Sequence, residues 1–232
     1  MHFPISMDMH CHLLPGIDDG SPDVETSIRL IEGMIELGVK GAIATPHVIG
    51  DLYRNDGSTI SAAFKLLQNE LTARNIDFDL RFAAEYMLDL HFLELLEKKV
   101  PLLRIKDDLI LTEFSYLSRP EHIEKISFMI QTEGYVPILA HPERYPYFYK
   151  TPEIYSHLKD LGFRLQVNLL SLTGYYGKEA KKAAKFICDQ RLADFLGTDL
   201  HHDRHLAALS DPSNRRIYSE IAGSDKWNGS LV

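Results

Sequence analysis

The stretch MDMHCHLLPGIDDG, residues 7–20, sets two histidines one residue apart and follows them with two adjacent aspartates. Imidazole and carboxylate are the side chains that hold Mn²⁺, Fe or Zn²⁺ without help from thiolate. The same residue types recur along the chain: His47 in ATPH, Glu85 in FAAEY, Glu113 in LTEF, His141 in LAHPERY, and Asp199 with His201 in GTDLHH. Each alone is ordinary, since a lone His-x-His is most often incidental and a single glutamate is usually a solvated carboxylate. Together with His10, His12 and Asp19 they are too many for one ion, and clustered carboxylates repel unless cations neutralise them. Such a set implies two or three divalent ions with at least one bridging carboxylate and open positions for water and substrate. Three such ions against the carboxylates of Asp19, Glu85, Glu113 and Asp199 leave a surplus of positive charge that suits a phosphoryl dianion, so the chemistry it points to is phosphoester hydrolysis.

Short apolar runs supply the elements that must position these groups. ISMDM, KGAIAT, FDLRFAA, DLILTEF, YVPILA, FRLQVN and ADFLGT read as strands. Helical patterns separate them at residues 23–37, 59–74, 89–98, 119–133, 152–161 and 177–189, with another at 214–222. In SPDVETS, Ser21 is placed to cap the first helix, with Pro22 at its first position. The alternation predicts an α/β protein with a parallel sheet covered by helices, and seven units approach a closed barrel. A barrel gathers its C-terminal strand ends around one axis, which would bring the candidate ligands together. FRLQVN is the exception, ending at Asn168, a neutral group suited to a hydrogen bond. An open doubly wound sheet is the alternative, but the glycine-rich first turn is missing.

The 232 residues are expected to form one domain, 1–232, and 45% hydrophobic with 25% charged residues is ordinary for a globule. No apolar run approaches the roughly 18 residues of a membrane span. MHFPISMDMH lacks the basic leader and apolar core of a signal peptide, so the expected compartment is the cytoplasm. Two cysteines are too few for a disulfide scaffold, which agrees with a reducing interior. A formal net charge of −8 argues against nucleic acid as a partner, and KEAKKAAK reads as the solvated face of a helix.

Read together, DMHCHLLPGIDDG, ATPH, the separated glutamates, AHPERY, QVNLLSLTGYYG and GTDLHH resemble the polymerase and histidinol phosphatase (PHP) superfamily. More narrowly, residues from about 6 to 208 resemble the manganese-dependent protein-tyrosine phosphatases of bacterial capsule and exopolysaccharide operons. The resemblance implies a distorted seven-stranded (β/α) barrel with a trinuclear site. It assigns His10, His12, Asp19, His47, Glu85, Glu113, His141, Asp199 and His201 as ligands, with Asp18 as a neighbour. Manganese is the leading ion, with iron, zinc, cobalt or magnesium as alternatives. Arg144 matches the arginine that holds phosphate, and Arg204 in DLHHDRH is a second, looser match. The implied reaction is direct hydrolysis by a hydroxide bridging two ions, and the implied substrate is the tyrosine-rich tail of a membrane-associated tyrosine kinase.

Other readings compete. A thiol mechanism needs an arginine six residues after a reactive cysteine, but Cys11 is followed at that distance by Ile17 and Cys188 by Asp194, so both are expected to be packing residues. A small-molecule phosphatase, such as one acting on histidinol phosphate, would use the same ions and differ at the rim, where VIGDLYRNDGS and YPYFY could wall a phosphotyrosine ring. A silent metal-binding module is the reading from outside enzymology, and a nuclease is disfavoured by the acidic balance. His2, His91, His122 and His157 are expected on the surface or partly packed, whereas His202 or His205 could orient a ligand or touch phosphate.

Overall fold

The computed structural model describes residues 3–222 and 227–231, so His2 lies outside the described residues. Its strands are β1 (Met7–Cys11), β2 (Gly41–Ala44), β3 (His47–Val48), β4 (Asp79–Phe82), β5 (Glu85–Met87), β6 (Leu109–Glu113), β7 (Val136–Ala140), β8 (Arg164–Asn168) and β9 (Phe195–Gly197). Around them run α1 (Val24–Leu37), α2 (Gly57–Ala73), α3 (Leu90–Glu97), α4 (Ile123–Thr132), α5 (Glu153–Asp160), α6 (Leu169–Thr173), α7 (Lys178–Asp189), α8 (Asp203–Leu209) and α9 (Arg215–Ala222).

Every ladder is parallel, and the strands fall into a three-stranded sheet, β1-β2-β4, and a six-stranded one, β3-β5-β6-β7-β8-β9. All seven expected strands are present. Two of them, KGAIAT and FDLRFAA, are each followed by a short additional strand, β3 and β5. The interruptions fall at Thr45-Pro46 and Ala83-Ala84, and Pro46 has no N–H to give to a ladder. Main-chain bonds nevertheless link the sheets along one flank, where His12 N, just past β1, donates to Leu200 O, beyond β9, at 2.9 Å.

The seven expected helices stand within a few residues of their predicted bounds. The cap of α1 is Asp23, which accepts from Thr26 N at 2.8 Å; Ser21, expected there, is buried and donates to Asp23 O instead. The α4 pattern starts late, at Ile123, because Pro120 cannot continue a helix backwards and His122 is left-handed at φ 59°. Two short helices, α6 and α8, had no periodic signal, being only 5 and 7 residues long.

Strand side chains alternate between two cores. Ala42, Ile110, Leu139, Leu165 and Leu196 face the helices, where Cys11 also packs. Met7, Met9, Ile43, Leu111, Ile138 and Phe195 form a separate inner cluster. Burying each of these larger side chains contributes about 1.5–3 kcal/mol. Directly beyond that inner cluster, at the C-terminal ends of the strands, the buried residues turn polar.

Candidate metal centre

The polar end begins with an irregularity in β1. Asp8 pairs with Ala42 but Cys11 with Ala44, so β1 spends one residue more than its partner. That bulge resets the alternation: Met9 and His10 both face inward, Cys11 packs outward among apolar side chains, and His12 returns to the inside. His10 and His12 consequently meet, Nε2 to Nε2, at 3.3 Å. The following loop folds back on itself, with Ser21 N donating to His12 O at 3.0 Å. Gly20 passes so close that a Cβ there would lie 2.3 Å from His12 O. The loop's return sets Asp18 Oδ2 against His12 Nδ1 at 2.8 Å and Asp19 Oδ1 3.4 Å from His47 Nε2.

All nine expected ligand positions come together, in four overlapping groups whose donor atoms lie within 4.8 Å of one another: His12/Asp19/His47/His201, His10/His12/Glu85, His10/His141/Asp199 and His47/Glu85/Glu113. Glu85 is central. Its Oε2 lies 3.2 Å from His10 Nε2 and His47 Nδ1 and 3.3 Å from His12 Nε2, while Oε1 is 3.1 Å from His141 Nε2. His47 Nδ1 also approaches Glu113 Oε1 to 2.9 Å. Yet His47 Nδ1, Glu85 Oε2 and Glu113 Oε1 are buried without an aligned hydrogen bond. Buried polar atoms that crowd together unbonded are costly unless something between them takes their lone pairs. Mixed imidazole and carboxylate donors in that state fit divalent cations.

Titration behaviour carries the same message. Burial pulls the His10 imidazole down, but the Glu85 and Asp199 carboxylates outweigh it and lift it to about 9. His12, buried against Asp18 and Glu85, is raised well above the ordinary histidine range. Burial opposes ionisation of Glu85 and Asp199, yet the surrounding imidazoles hold Glu85 well below the ordinary carboxylate range and, joined by Arg144, lower Asp199 as well. Glu113 rises through burial and the Glu85 charge, and His201 falls to about 3 through burial beside His12. An imidazole must shed its proton to ligate, so cations binding here would release protons.

The cluster floors a cleft of about 260 Å³. Arg144, from the 3₁₀ turn Pro142–Arg144 that follows β7, forms part of its wall. Its Nη1 donates to Asp199 Oδ2 at 2.7 Å, and the guanidinium lies 4.1 Å from the Tyr176 ring and 5.2 Å from that of Tyr116. Arg204 does not share this position: it is exposed on α8 and absent from the cleft lining. One residue on, 100° around the helix, His205 faces the cleft instead, with Nδ1 3.1 Å from Asp199 O. His202 caps α8 and also lines the cleft. His91 is half-buried, while His122 and His157 are exposed, away from the site.

Tyr116 and Tyr176 were not singled out by sequence reasoning, although Tyr116 stands two residues after LTEF and Tyr176 lies within QVNLLSLTGYYG. Tyr116 Oη sits 3.2 Å from His141 Nδ1, and its ring stacks on that imidazole. Within YPYFY, Tyr145 and Phe148 are fully buried, so this run is mostly core beneath the site. Tyr53, from the loop after His47, does reach the site, stacked on the His47 ring with centroids 5.8 Å apart. Two site residues leave their strands in left-handed conformations, His141 at φ 36° and Asp199 at φ 53°.

Parallel strands that deliver imidazoles and carboxylates to one cleft, beside a half-buried guanidinium, define a candidate polynuclear hydrolase centre on an α/β scaffold. The chain belongs to the capsular polysaccharide synthesis CpsB/CapC family, whose model matches residues 6–219. It is 30% identical over 203 residues to the tyrosine-protein phosphatase YwqE of Bacillus subtilis, covering 84% of this chain and 77% of that one. Among solved structures it is similar to one from the study of YwqE from Bacillus subtilis and CpsB from Streptococcus pneumoniae, metal-dependent tyrosine phosphatases. The TM-score there is 0.81 at 28% identity, over 94% of this chain and 90% of that one. The fold is also that of a histidinol phosphate phosphatase from Lactococcus lactis, with TM-score 0.57 at 16% identity over 96% and 95% of the two chains.

Proposed function

We propose that this chain is a metal-dependent protein-tyrosine phosphatase, a single domain over residues 1–232. The observation that carries the reading is the convergence of unbonded, buried donor atoms of His47, Glu85 and Glu113 beneath the Arg144 guanidinium. His10, His12, Asp19, His47, Glu85, Glu113, His141, Asp199 and His201 would hold two or three divalent ions, manganese first among them. Bound there, the ions would supply a water activated near neutral pH and neutralise charge on the phosphoryl oxygens. We also read the two sheets as one distorted barrel, interrupted at Pro46 and Ala83-Ala84.

Arg144 has a guanidinium held above the ordinary arginine range by Asp199 against its burial, so it is a permanent cation on the cleft wall. Tethered by Asp199 and flanked by Tyr116 and Tyr176, it would meet the non-bridging phosphoryl oxygens without reorganising. A tyrosine leaving group, with a free pKa near 10, asks less of a general acid than an alkyl alcohol. His202 and His205 stand at the same wall, where they would hold or pass a proton near the departing oxygen.

The rim favours a polypeptide over a small phosphomonoester. Leu52, Leu90 and Leu117, exposed by 73%, 79% and 95%, all sit on segments that follow the C-terminal ends of strands β3, β5 and β6. Leu117 adjoins Tyr116, and Leu52 adjoins the Tyr53 that covers His47. Exposed apolar side chains on the strand-end side of a charged cleft fit an extended chain lying across it. The proposed substrate is the phosphorylated, tyrosine-rich tail of a membrane-associated tyrosine kinase serving polysaccharide export. No described helix is long and apolar enough to cross a membrane.

The test is turnover of p-nitrophenyl phosphate, a phosphotyrosyl peptide and histidinol phosphate, each with EDTA and after Mn²⁺ replacement. Aryl phosphate hydrolysis lost to chelator and restored by Mn²⁺ is expected, with the peptide preferred. Preference for histidinol phosphate would move the assignment to a small-molecule phosphatase, and no hydrolysis at all would overturn it.

A further inference from the structure

Behind the cleft, two fully buried amides connect residues from three strands. Gln166 and Asn168 both face inward from β8, and neither is exposed. Gln166 Oε1 lies 2.8 Å from His10 Nδ1 and accepts from His141 N at 3.4 Å. Gln166 Nε2 donates to Asn168 Oδ1 at 2.8 Å, and Asn168 Nδ2 donates to Asp199 Oδ2 at 2.7 Å.

The direction of these bonds is dictated at both ends. A carboxylate can only accept and a main-chain N–H can only donate, so Asp199 and His141 N independently impose the same orientation on the two amides. Turning either amide over would set oxygen against oxygen or N–H against N–H. With Gln166 Oε1 fixed as an acceptor, His10 Nδ1 must carry a hydrogen. In the neutral ring that a cation would meet, Nε2 is then the nitrogen left with a lone pair, and it points towards the cluster, 3.2 Å from Glu85 Oε2 and 3.5 Å from Asp199 Oδ1.

We propose that Gln166 and Asn168 form a polarised amide relay that sets the tautomer of His10 and orients the ligand group His10/His141/Asp199. All three members of that group touch the relay: His10 through its ring, His141 through its main chain, Asp199 through its carboxylate. The packing around the relay is built to match. A Cβ at Gly197 would stand 2.8 Å from both Gln166 Nε2 and His10 Cβ, so β9 carries only hydrogen where the amide passes. Glu143, buried between His141 and Arg144, accepts from Asn168 N at 2.9 Å and from Ser171 Oγ at 2.6 Å, and so pins the backbone that presents the second amide. Gln166 and Asn168 are positioning residues, acting through ligands rather than on substrate.

This inference rests on the reading of those three residues as ligands, and the experiment separates the two. Mn²⁺ binding is measured by titration calorimetry and by metal content after gel filtration, for wild type, Gln166→Leu and Gln166→Glu, with circular dichroism checking the fold. Outer partners of metal-binding histidines are typically worth roughly 10–100-fold in affinity. Gln166→Leu is expected to weaken one binding step by that factor, leaving the remaining steps near wild type. Gln166→Glu, which keeps an acceptor opposite His10 Nδ1 but sets a second oxygen against Asn168 Oδ1, is expected to recover only part of the loss. Wild-type binding by Gln166→Leu, or equal weakness in both variants, overturns the relay alone, whereas a wild type that takes up no Mn²⁺ overturns the metal centre and the relay together. Should Gln166→Leu not fold, the ¹⁵N histidine spectrum of Zn²⁺-loaded wild type decides: a hydrogen on His10 Nδ1 sustains the relay, and one on Nε2 overturns it.

Discussion

Along the inward-facing side of the strands the molecule holds two regions that share a backbone register and differ in everything else. The lower one, with Met7, Met9, Ile43, Leu111, Ile138 and Phe195, is an apolar plug. Two residues further along β6, Leu111 gives way to Glu113, and across the β1 bulge Met9 gives way to His10. The lower region is complete by itself, since apolar side chains satisfy one another wherever they are close-packed. The upper region is not, because its carboxylates and imidazoles crowd within 2.9–3.3 Å of one another and leave donor atoms unbonded. Stability and chemistry are thus stacked along the same strands, and one can be disturbed with little effect on the other.

The largest effect should come from the centre of the upper region. Glu85→Gln removes the carboxylate that faces four imidazoles, and kcat/KM for an aryl phosphate is expected to fall by at least about 10³-fold with the circular dichroism spectrum kept. A variant within tenfold of wild type would detach the cluster from the chemistry. Next comes the contrast between the two arginines. Arg144→Ala should lose roughly 10²–10³-fold in kcat/KM, as expected for a preorganised charge-stabilising donor. Arg204→Ala, by contrast, should stay within about threefold, since exposed side chains away from such features matter little. Equal losses would mean that α8 turns Arg204 inward when substrate binds.

In the lower region the sign reverses. Ile138→Ala should cost about 2–5 kcal/mol in urea unfolding while the kcat of the folded fraction changes by less than about twofold. A large drop in kcat at unchanged stability would dissolve the division between the regions. The smallest effect lies at their border. Asp8 is pushed up to about 6 by burial, against the hydrogen bonds it receives from Thr198 and from His10 N. The folded protein therefore holds this proton more tightly than the unfolded chain does. The stability it contributes is complete below about pH 4 and is lost as pH rises through 6, by roughly 2–3 kcal/mol at most. Asp8→Asn should flatten that dependence in EDTA-treated protein, so the stability difference between variant and wild type should drift between pH 4 and 7. A constant difference would show an Asp8 already ionised throughout the window.

The amino-acid sequence announced the upper region well, and for a physical reason. Parallel strands carry their C-terminal ends to the same edge, so histidines and acids at equivalent strand ends had to converge once the strands were recognised. Helices with long apolar periodicity were equally legible. What could not be read depended on partners far along the chain. The β1 bulge exists only relative to β2, and it alone allows Met9 and His10 to share a side. Asn168 was recognisable as a hydrogen-bonding group, but its tie to Asp199 and the part played by Gln166 appear only when β8 lies beside β9. Arg204 and His205 differ by one step on a seven-residue helix too short to display a periodic face. YPYFY looked like a pocket wall because aromatic residues line pockets and cores alike, and the two 3₁₀ turns commit Tyr145 and Phe148 to the core.

The backbone of His141 sits at φ 36°, where a side-chain-bearing residue is disfavoured by about 1–2 kcal/mol and glycine would rest at ease. A descendant of this gene released from its chemical duty would therefore gain thermal endurance by exchanging that residue for glycine. Glycine at 141 in a sister sequence would be the mark of a retired copy, legible before any assay is run.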